Sequence, residues 1–152
     1  MQKIVLAFLV INMFSVVSCT KKEEVSSPDV FSAAAAPTTG GGDIGVGPIT
    51  SLVLESEIKA DLVKHGTEVF SAKCAACHKM GERYVGPDLK GVTERRKPEW
   101  IMNMILNPQE MTQKDPIAQE LLGEYMTQMT FQNVTQDETR AILEYFRSID
   151  KK

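Results

Sequence analysis

Three residues that can bind a metal or form covalent bonds lie within five consecutive positions. The segment KCAACHKM, residues 73–80, places Cys74 and Cys77 three residues apart, and His78 follows directly. Two cysteines at this spacing are typical of thiol–disulfide redox pairs and of zinc sites. When a histidine comes next, they are also typical of attachment sites for c-type haem. The sequence around the motif distinguishes between these three kinds of site.

Two of the three interpretations agree poorly with that surrounding sequence. A thioredoxin-like pair stands at the start of a helix that follows a strand, whereas this motif follows a predicted helix. A structural zinc site needs four ligands, and only His65 or a carboxylate would complete the set. The CxxCH pattern predicts covalent haem instead, with Cys74 and Cys77 bonded to its vinyl groups and His78 as an iron ligand.

The N-terminus indicates export. This agrees with the prediction of covalent haem, because c-type haem is attached outside the cytoplasm. Residues 1–18 have one lysine, then an apolar run, then small residues, and they predict a signal peptide too short to span a membrane. The segment VVSC, residues 16–19, resembles the lipobox of bacterial lipoproteins. The resemblance implies that Cys19 carries the lipid, and that the protein is anchored to a bacterial membrane and faces the periplasm. An ordinary cleavage site beside a cysteine is the alternative.

The remaining chain divides into a linker and a domain. Residues 19–56 are rich in Ala, Gly, Pro and Thr and predict a lipidated, flexible connection. An alternative is that part of it packs on the domain around ITSLVL, residues 49–54. Residues 57–152 then form one small domain, and the net charge of −3 gives no indication of nucleic-acid binding.

The elements that have to position the motif are all helices. Helical spacing predicts a first helix over residues 58–73, and proline at a first helical position predicts others from Pro98 and Pro116. A final helix begins after the capping box formed by Thr135 and Glu138. No segment alternates convincingly as a strand, so the predicted class is all-α.

Three segments in this order resemble the small monohaem cytochrome c family, over about residues 61–149. They are DLVKHGTEVFSAKCAACH, VGPDLKGV and DETRAILEYF. The resemblance implies four or so helices packed around one covalently attached haem c. It implies that the first and last helices cross near Gly66 and an aromatic residue, Tyr145 or Phe146. It also implies that the carbonyl of Pro87 accepts a hydrogen bond from His78.

The same resemblance places the sixth iron ligand, a methionine, in a loop shortly before the final helix. Met129 fits that spacing, with Met126 as the alternative, because the family usually has proline after this methionine and the chain has Thr130. Arg95, Arg96 and Trp100 are candidate donors to the haem propionates, as such residues are in the family. The alternative for these three is a solvated basic turn followed by a core tryptophan.

A haem with both axial positions filled by protein transfers electrons and has no open position for a substrate. We therefore expect a membrane-tethered, non-enzymatic carrier of single electrons in a respiratory chain, serving a terminal oxidase or a denitrification-type reductase. A haem enzyme, or a gas or redox sensor with a labile sixth ligand, is the alternative. A zinc-bound adaptor module is a third hypothesis.

Charge is distributed unevenly along the domain. Residues 73–97 contain seven Lys or Arg and three Asp or Glu, whereas residues 98–150 contain three and nine. The pattern predicts a basic haem-edge side that docks acidic redox partners, both donor and acceptor. The alternative is that both are ordinary solvated faces.

Overall fold

The structure is a computed structural model, and it describes residues 43–151. This range contains helices and no strand, which confirms the all-α prediction. The helices in chain order are α1 (Ala60–Lys73), α2 (Val92–Arg95), α3 (Pro98–Leu106), α4 (Pro108–Lys114), α5 (Pro116–Tyr125) and α6 (Gln136–Asp150).

The four helices predicted from the sequence are all present, and local signals set their starts. α3 and α5 begin at prolines, and the Asp115 side chain accepts a hydrogen bond from the backbone N–H of Ala118 at the start of α5. α6 begins with the complete capping box, in which Thr135 and Glu138 bond reciprocally to each other's backbone N–H. The first helix starts at Ala60, two residues later than predicted.

Two helices were not predicted. The Asn107–Pro108 pair indicated only the end of α3, but Pro108 is also the first residue of α4. Proline is favoured at a first helical position because its missing N–H would have no partner there. The single turn α2 follows Gly91, which has a left-handed φ of 74°.

α1 and α6 cross in direct backbone contact, as the resemblance implied. A Cβ atom on Gly66 would lie 2.0 Å from the carbonyl oxygen of Ala141. Beside this crossing, Phe70 packs on both Tyr145 and Phe146, with ring centroids 5.4 and 5.8 Å away. The contact fixes the last turn of α1, from which the CxxCH motif continues.

Residues 43–56, which we call the N-terminal strap, pack on the helices. The side chain of Asn103 in α3 is fully buried and bonds to the carbonyls of Ile44 and Ile49 and to the N–H of Ile49, each at 2.9 Å. Ile49 itself is only 4% exposed. The packed structure therefore begins before residue 57, the boundary taken from the sequence, and the alternative of packing around ITSLVL describes this part of the predicted linker.

The signal segment, Cys19 and the linker up to residue 42 lie outside the described residues. Within residues 43–151, no helix has the length and apolar character needed to cross a membrane.

Candidate haem-binding site

The CxxCH motif forms one tight turn at the end of α1. The N–H of Cys74 bonds to the carbonyl of Phe70 at 2.9 Å, and the carbonyl of Cys74 accepts hydrogen bonds from the N–H groups of Cys77 and His78 at 3.0 Å. Neither cysteine is in a disulfide. Among the described residues, no three His, Cys, Asp or Glu side chains come together to hold a metal ion, so the structure gives no support to the zinc hypothesis.

The Cys74 thiol is in an apolar environment. Burial raises the pKa of Cys74 to about 11, with a smaller contribution from Cys77 and an opposing one from Lys73. Cysteines that act in thiol–disulfide exchange have lowered pKa values, because the thiolate is the nucleophile. The environment of Cys74 therefore disfavours the redox-pair interpretation.

His78 is held in a single orientation by the segment 79–91, which we call the proximal loop. The Nδ1 atom of His78 lies 3.2 Å from the carbonyl oxygen of Pro87, as the resemblance implied. Because a carbonyl only accepts, Nδ1 carries the proton and donates, and Nε2 is the nitrogen left to bind a metal. Burial lowers the pKa of His78, with the Pro87 bond acting in the opposite direction, so the neutral ring is favoured.

Gly86 is a second support of this ring, and it was not among the site residues predicted from the sequence. A Cβ atom on Gly86 would lie 2.4 Å from Cε1 of His78 and 2.8 Å from its Nδ1. The backbone of Gly86 is itself fixed, since its N–H bonds to the Cys77 carbonyl and its carbonyl accepts from Tyr84. The segment VGPDLKGV contains this glycine, but only the contact with the ring reveals what it does.

The proximal loop is closed by the Asp88 carboxylate, which sequence reasoning also missed. Its Oδ1 accepts from the backbone N–H groups of Gly81 at 2.6 Å and Lys90 at 2.8 Å. These bonds, the Lys90 one most strongly, lower the pKa of Asp88. The carboxylate thereby joins the two ends of the loop that carries Gly86 and Pro87.

The methionines differ clearly in exposure. Met126 ends α5 with a left-handed φ of 49°, and its side chain is 88% exposed. Met129 is half-buried and packs against the hydrophobic core. Met111 is completely buried, and its sulfur lies 3.0 Å from the backbone nitrogen of Val46 in the strap.

The sequence matches the family described as "Cytochrome c" over residues 63–150, which is more than half of the chain. The chain belongs to the cytochrome c family. This membership implies a covalently bound c-type haem, for which Cys74 and Cys77 are positioned as the CxxCH site. It also supports an electron-transfer role, with redox proteins as partners.

Individual cytochromes agree with this assignment. The chain is 36% identical to a cytochrome c-553-like protein of Synechocystis over 77 residues, which are 49% of this chain and 70% of that protein. A solved cytochrome c of Rhodothermus marinus is 40% identical, with a TM-score of 0.70 over 76% of this chain and 98% of the other. An engineered form of it is also 40% identical, with a TM-score of 0.68 over 70% and 92% of the two chains.

The residues of this cytochrome fit a c-type haem. Two thiols three residues apart, Cys74 and Cys77, are followed by a histidine whose ring is held by Pro87 and Gly86 and whose Nε2 is left for the iron. The contact requires glycine at position 86, because any larger residue there would displace the His78 ring. This support explains how the chain presents an imidazole in one fixed orientation.

Trp100 is a buried residue of this cytochrome, and its indole already has a hydrogen-bond partner. Its side chain is 5% exposed, and its indole N–H already donates to Oδ1 of Asp115 at 3.1 Å. The burial and this bond favour the core alternative, and a propionate contact from Trp100 stays a prediction. A buried indole N–H needs a partner, and here the residue that caps α5 supplies it.

Arg95 and Arg96 are occupied with backbone carbonyls. Arg95 donates to the carbonyls of Lys90 and Asp88, both in the proximal loop. Arg96 donates to the carbonyl of Arg95, and its guanidinium lies 5.5 Å from the centre of the Trp100 ring. These contacts assign Arg95 a role in holding the proximal loop, and a propionate contact from either arginine stays a prediction.

Proposed function

We propose that this cytochrome is a membrane-tethered, non-enzymatic carrier of single electrons, with His78 and Met129 as the axial residues of its haem. The observation that carries the proposal is the fixed His78 ring, with Nδ1 on the Pro87 carbonyl and Nε2 left for iron. The bound haem supplies the one-electron couple. The chain supplies two thiols, an oriented imidazole and a thioether.

Burial supports Met129 over Met126 as the sixth ligand. Met129 is half-buried against the core, whereas the Met126 side chain is 88% exposed and belongs to the end of α5. Met111 is disfavoured, because its sulfur is enclosed beside the strap. His78 and Met129 would together hold the iron, and the haem would then supply a one-electron couple with a raised reduction potential, which suits electron transfer.

The proposed docking surface lies in and beside the proximal loop and is both basic and partly apolar. Of the seven cations in residues 73–97, Lys73, Arg83 and Lys97 are in ion pairs. The other four have no carboxylate partner within the described part of the chain: Lys79, Lys90, Arg95 and Arg96. Exposed Cys77, Tyr84 and Val85 lie in or beside the proximal loop. Small surfaces of this composition suit brief contacts with acidic redox partners.

We place the protein outside the cytoplasm, anchored through lipid on Cys19 and facing the periplasm. The support is the signal-like segment 1–18 and the VVSC sequence that ends at Cys19. The sequence predicts a flexible linker between this anchor and the domain, which suits delivery of electrons to a membrane-bound oxidase or a denitrification-type reductase.

Carbon monoxide binding tests the carrier function against the haem enzyme or gas sensor. We expect the reduced holoprotein to bind carbon monoxide slowly and incompletely at neutral pH, because a protein ligand occupies the sixth position. Rapid, complete binding, followed by the Soret absorption after mixing, would replace the carrier with a haem enzyme or sensor. The absorption spectrum of the same sample also excludes a zinc module if it shows haem.

A further inference from the structure

We propose that Arg83 is a positioning residue that holds the methionine loop, residues 126–135, in place from the proximal loop. Arg83 lies between His78 and Pro87 in the sequence and reaches across to the end of α5. Its Nη1 donates to Oε1 of Glu124 at 2.8 Å, and its Nη2 donates to the Glu124 backbone carbonyl at 3.2 Å. We call this set of contacts the Arg83 bridge.

The Arg83 bridge also includes a stacking contact. The central guanidinium carbon lies 4.1 Å from the centre of the Tyr125 ring, a favourable distance for a cation–π interaction. One planar group thus contacts a carboxylate, a backbone carbonyl and an aromatic face. A lysine has neither the fork nor the flat surface to make all three contacts.

The end of α5 would be stabilised by a cation, and the helix itself does not provide one. The last carbonyls of a helix have no partner within the helix and carry partial negative charge. The last turn of α5 contains no basic residue. Arg83 therefore supplies, from a different loop, both the positive charge and a donor for the Glu124 carbonyl.

The methionine loop that follows has no hydrogen-bonded framework of its own. Within residues 43–151, the segment 127–134 makes no backbone–backbone hydrogen bond. It is held through side chains from outside: Thr112 donates to Gln128 at 3.1 Å, and Lys73 donates to the Asn133 carbonyl at 3.0 Å. The Arg83 bridge fixes the residues immediately before it, so Met129 lies in a segment held by separate side-chain contacts and by its packing on the core.

The fixed end of the Arg83 bridge belongs to the structure that orients His78. The turn beside Arg83 is closed by the bond from Tyr84 to Gly86, and Gly86 bonds to Cys77. The bridge thus connects the support of the fifth ligand to the approach of the sixth. This inference rests on the proposed assignment of Met129, and it predicts that loss of Arg83 loosens the methionine without loosening the fold.

The test is displacement of the sixth ligand by imidazole in the ferric holoprotein. Arg83→Ala removes all three contacts, and Glu124→Gln removes the ion pair while leaving the backbone carbonyl. Lys59→Ala is the matched control, because the Lys59–Glu55 pair is about as exposed as the Arg83–Glu124 pair and lies outside both loops. Loss of the sulfur-to-iron charge-transfer band reports binding of imidazole.

We expect Arg83→Ala to bind imidazole about three- to tenfold more tightly than the wild type, from the loss of an exposed ion pair and a cation–π contact. Glu124→Gln should show a change of about twofold, and Lys59→Ala none. Arg83→Ala and Lys59→Ala should unfold at the same midpoint concentration of guanidinium chloride. A purely structural role for Arg83 would instead lower the stability of the fold without a selective effect on binding of imidazole.

Met129→Ala separates failure of this inference from failure of the proposed function. If Met129→Ala keeps the charge-transfer band, the ligand assignment is wrong and the inference falls with it. If the band is lost in Met129→Ala but Arg83→Ala binds imidazole like Lys59→Ala, only the positioning role is overturned. If Arg83→Ala does not accumulate, Glu124→Gln decides, because it leaves the arginine in place.

Discussion

The orientation of His78 depends on a hydrogen bond on one ring nitrogen and a glycine against the ring. Gly86→Ala places a methyl group 2.4 Å from Cε1, so the ring has to tilt away from the Pro87 carbonyl or the loop has to move. We expect the free energy of unfolding of the holoprotein to fall by about 1–3 kcal/mol, which is the usual cost of overpacking. We also expect a shifted reduction potential, since the Pro87 bond tunes the ligand.

Both effects of Gly86→Ala are measurable on one preparation, by guanidinium unfolding and by redox titration. Gly123→Ala serves as the control, because a Cβ atom there meets nothing within 4 Å: its potential should not change and its unfolding midpoint should rise rather than fall. An unchanged potential and an unchanged midpoint would show that the ring is not confined as the structure indicates.

The two candidate ligands Met129 and Met126 are distinguished by paired substitutions. Met129→Ala should abolish the sulfur-to-iron charge-transfer band and lower the reduction potential by on the order of 0.1 V or more, since axial ligands tune haem potentials over about 0.8 V. Met126→Ala should leave both unchanged, because its side chain points into solvent. Spectra and redox titrations of the ferric proteins measure this, and the opposite pattern would assign the ligand to Met126.

At the scale of whole elements, the contact between α1 and α6 sets the position of the motif. Gly66→Ala would place a methyl group 2.0 Å from a backbone oxygen of Ala141, which has no rotamer by which to move away. We expect a loss of about 3 kcal/mol or more in the free energy of unfolding. Gly123→Ala in α5 should instead gain about 0.5–1 kcal/mol, because alanine is the better helix former.

Denaturation by guanidinium chloride measures both variants. The unfolding midpoint should fall for Gly66→Ala and rise for Gly123→Ala if the contact between the helices, rather than the loss of a glycine, determines the change in stability. Equal shifts of the same sign would contradict the close crossing. The comparison is clean because both glycines lie within helices and only Gly66 faces another backbone.

The sequence predicted the elements that local signals define, and it missed those that distant contacts define. The starts of α3, α5 and α6 follow from a proline or a capping box within a few residues. The strap, in contrast, is held in place by Asn103, which lies 54 residues from its partner Ile49 in the sequence. Composition alone made this segment resemble a linker.

The same distinction applies to the site. Cys74, Cys77 and His78 were recognisable because they are contiguous, and Pro87 because a family pattern carries it. The Arg83 bridge joins residues 41 positions apart, and neither Arg83 nor Glu124 belongs to a motif. Such contacts can be recognised only in the folded chain.

At the scale of the molecule, charge is unevenly distributed between the sequence segments. Residues 73–97 have a net charge of +4 and residues 98–150 a net charge of −6. Ion pairs neutralise part of the basic segment, whereas exposed Lys90 and half-exposed Lys79 have no ion-pair partner among residues 43–151. The field near Cys77 should therefore be positive despite the acidic total.

Small redox ions of opposite charge probe this field without a protein partner. The rate at which the reduced cytochrome transfers an electron to anionic hexacyanoferrate(III) should fall as salt increases, because the Debye length shrinks from about 30 Å at 0.01 M to about 3 Å at 1 M. Cationic tris(phenanthroline)cobalt(III) should show the opposite dependence.

Lys90→Glu should slow the reaction with hexacyanoferrate a few-fold at low salt, since local charge steers encounter. Lys114→Glu, in the acidic segment, should have a smaller effect. Stopped-flow rates with the same salt dependence for both ions would show that the haem edge is not basic and would remove the charge basis for docking an acidic partner.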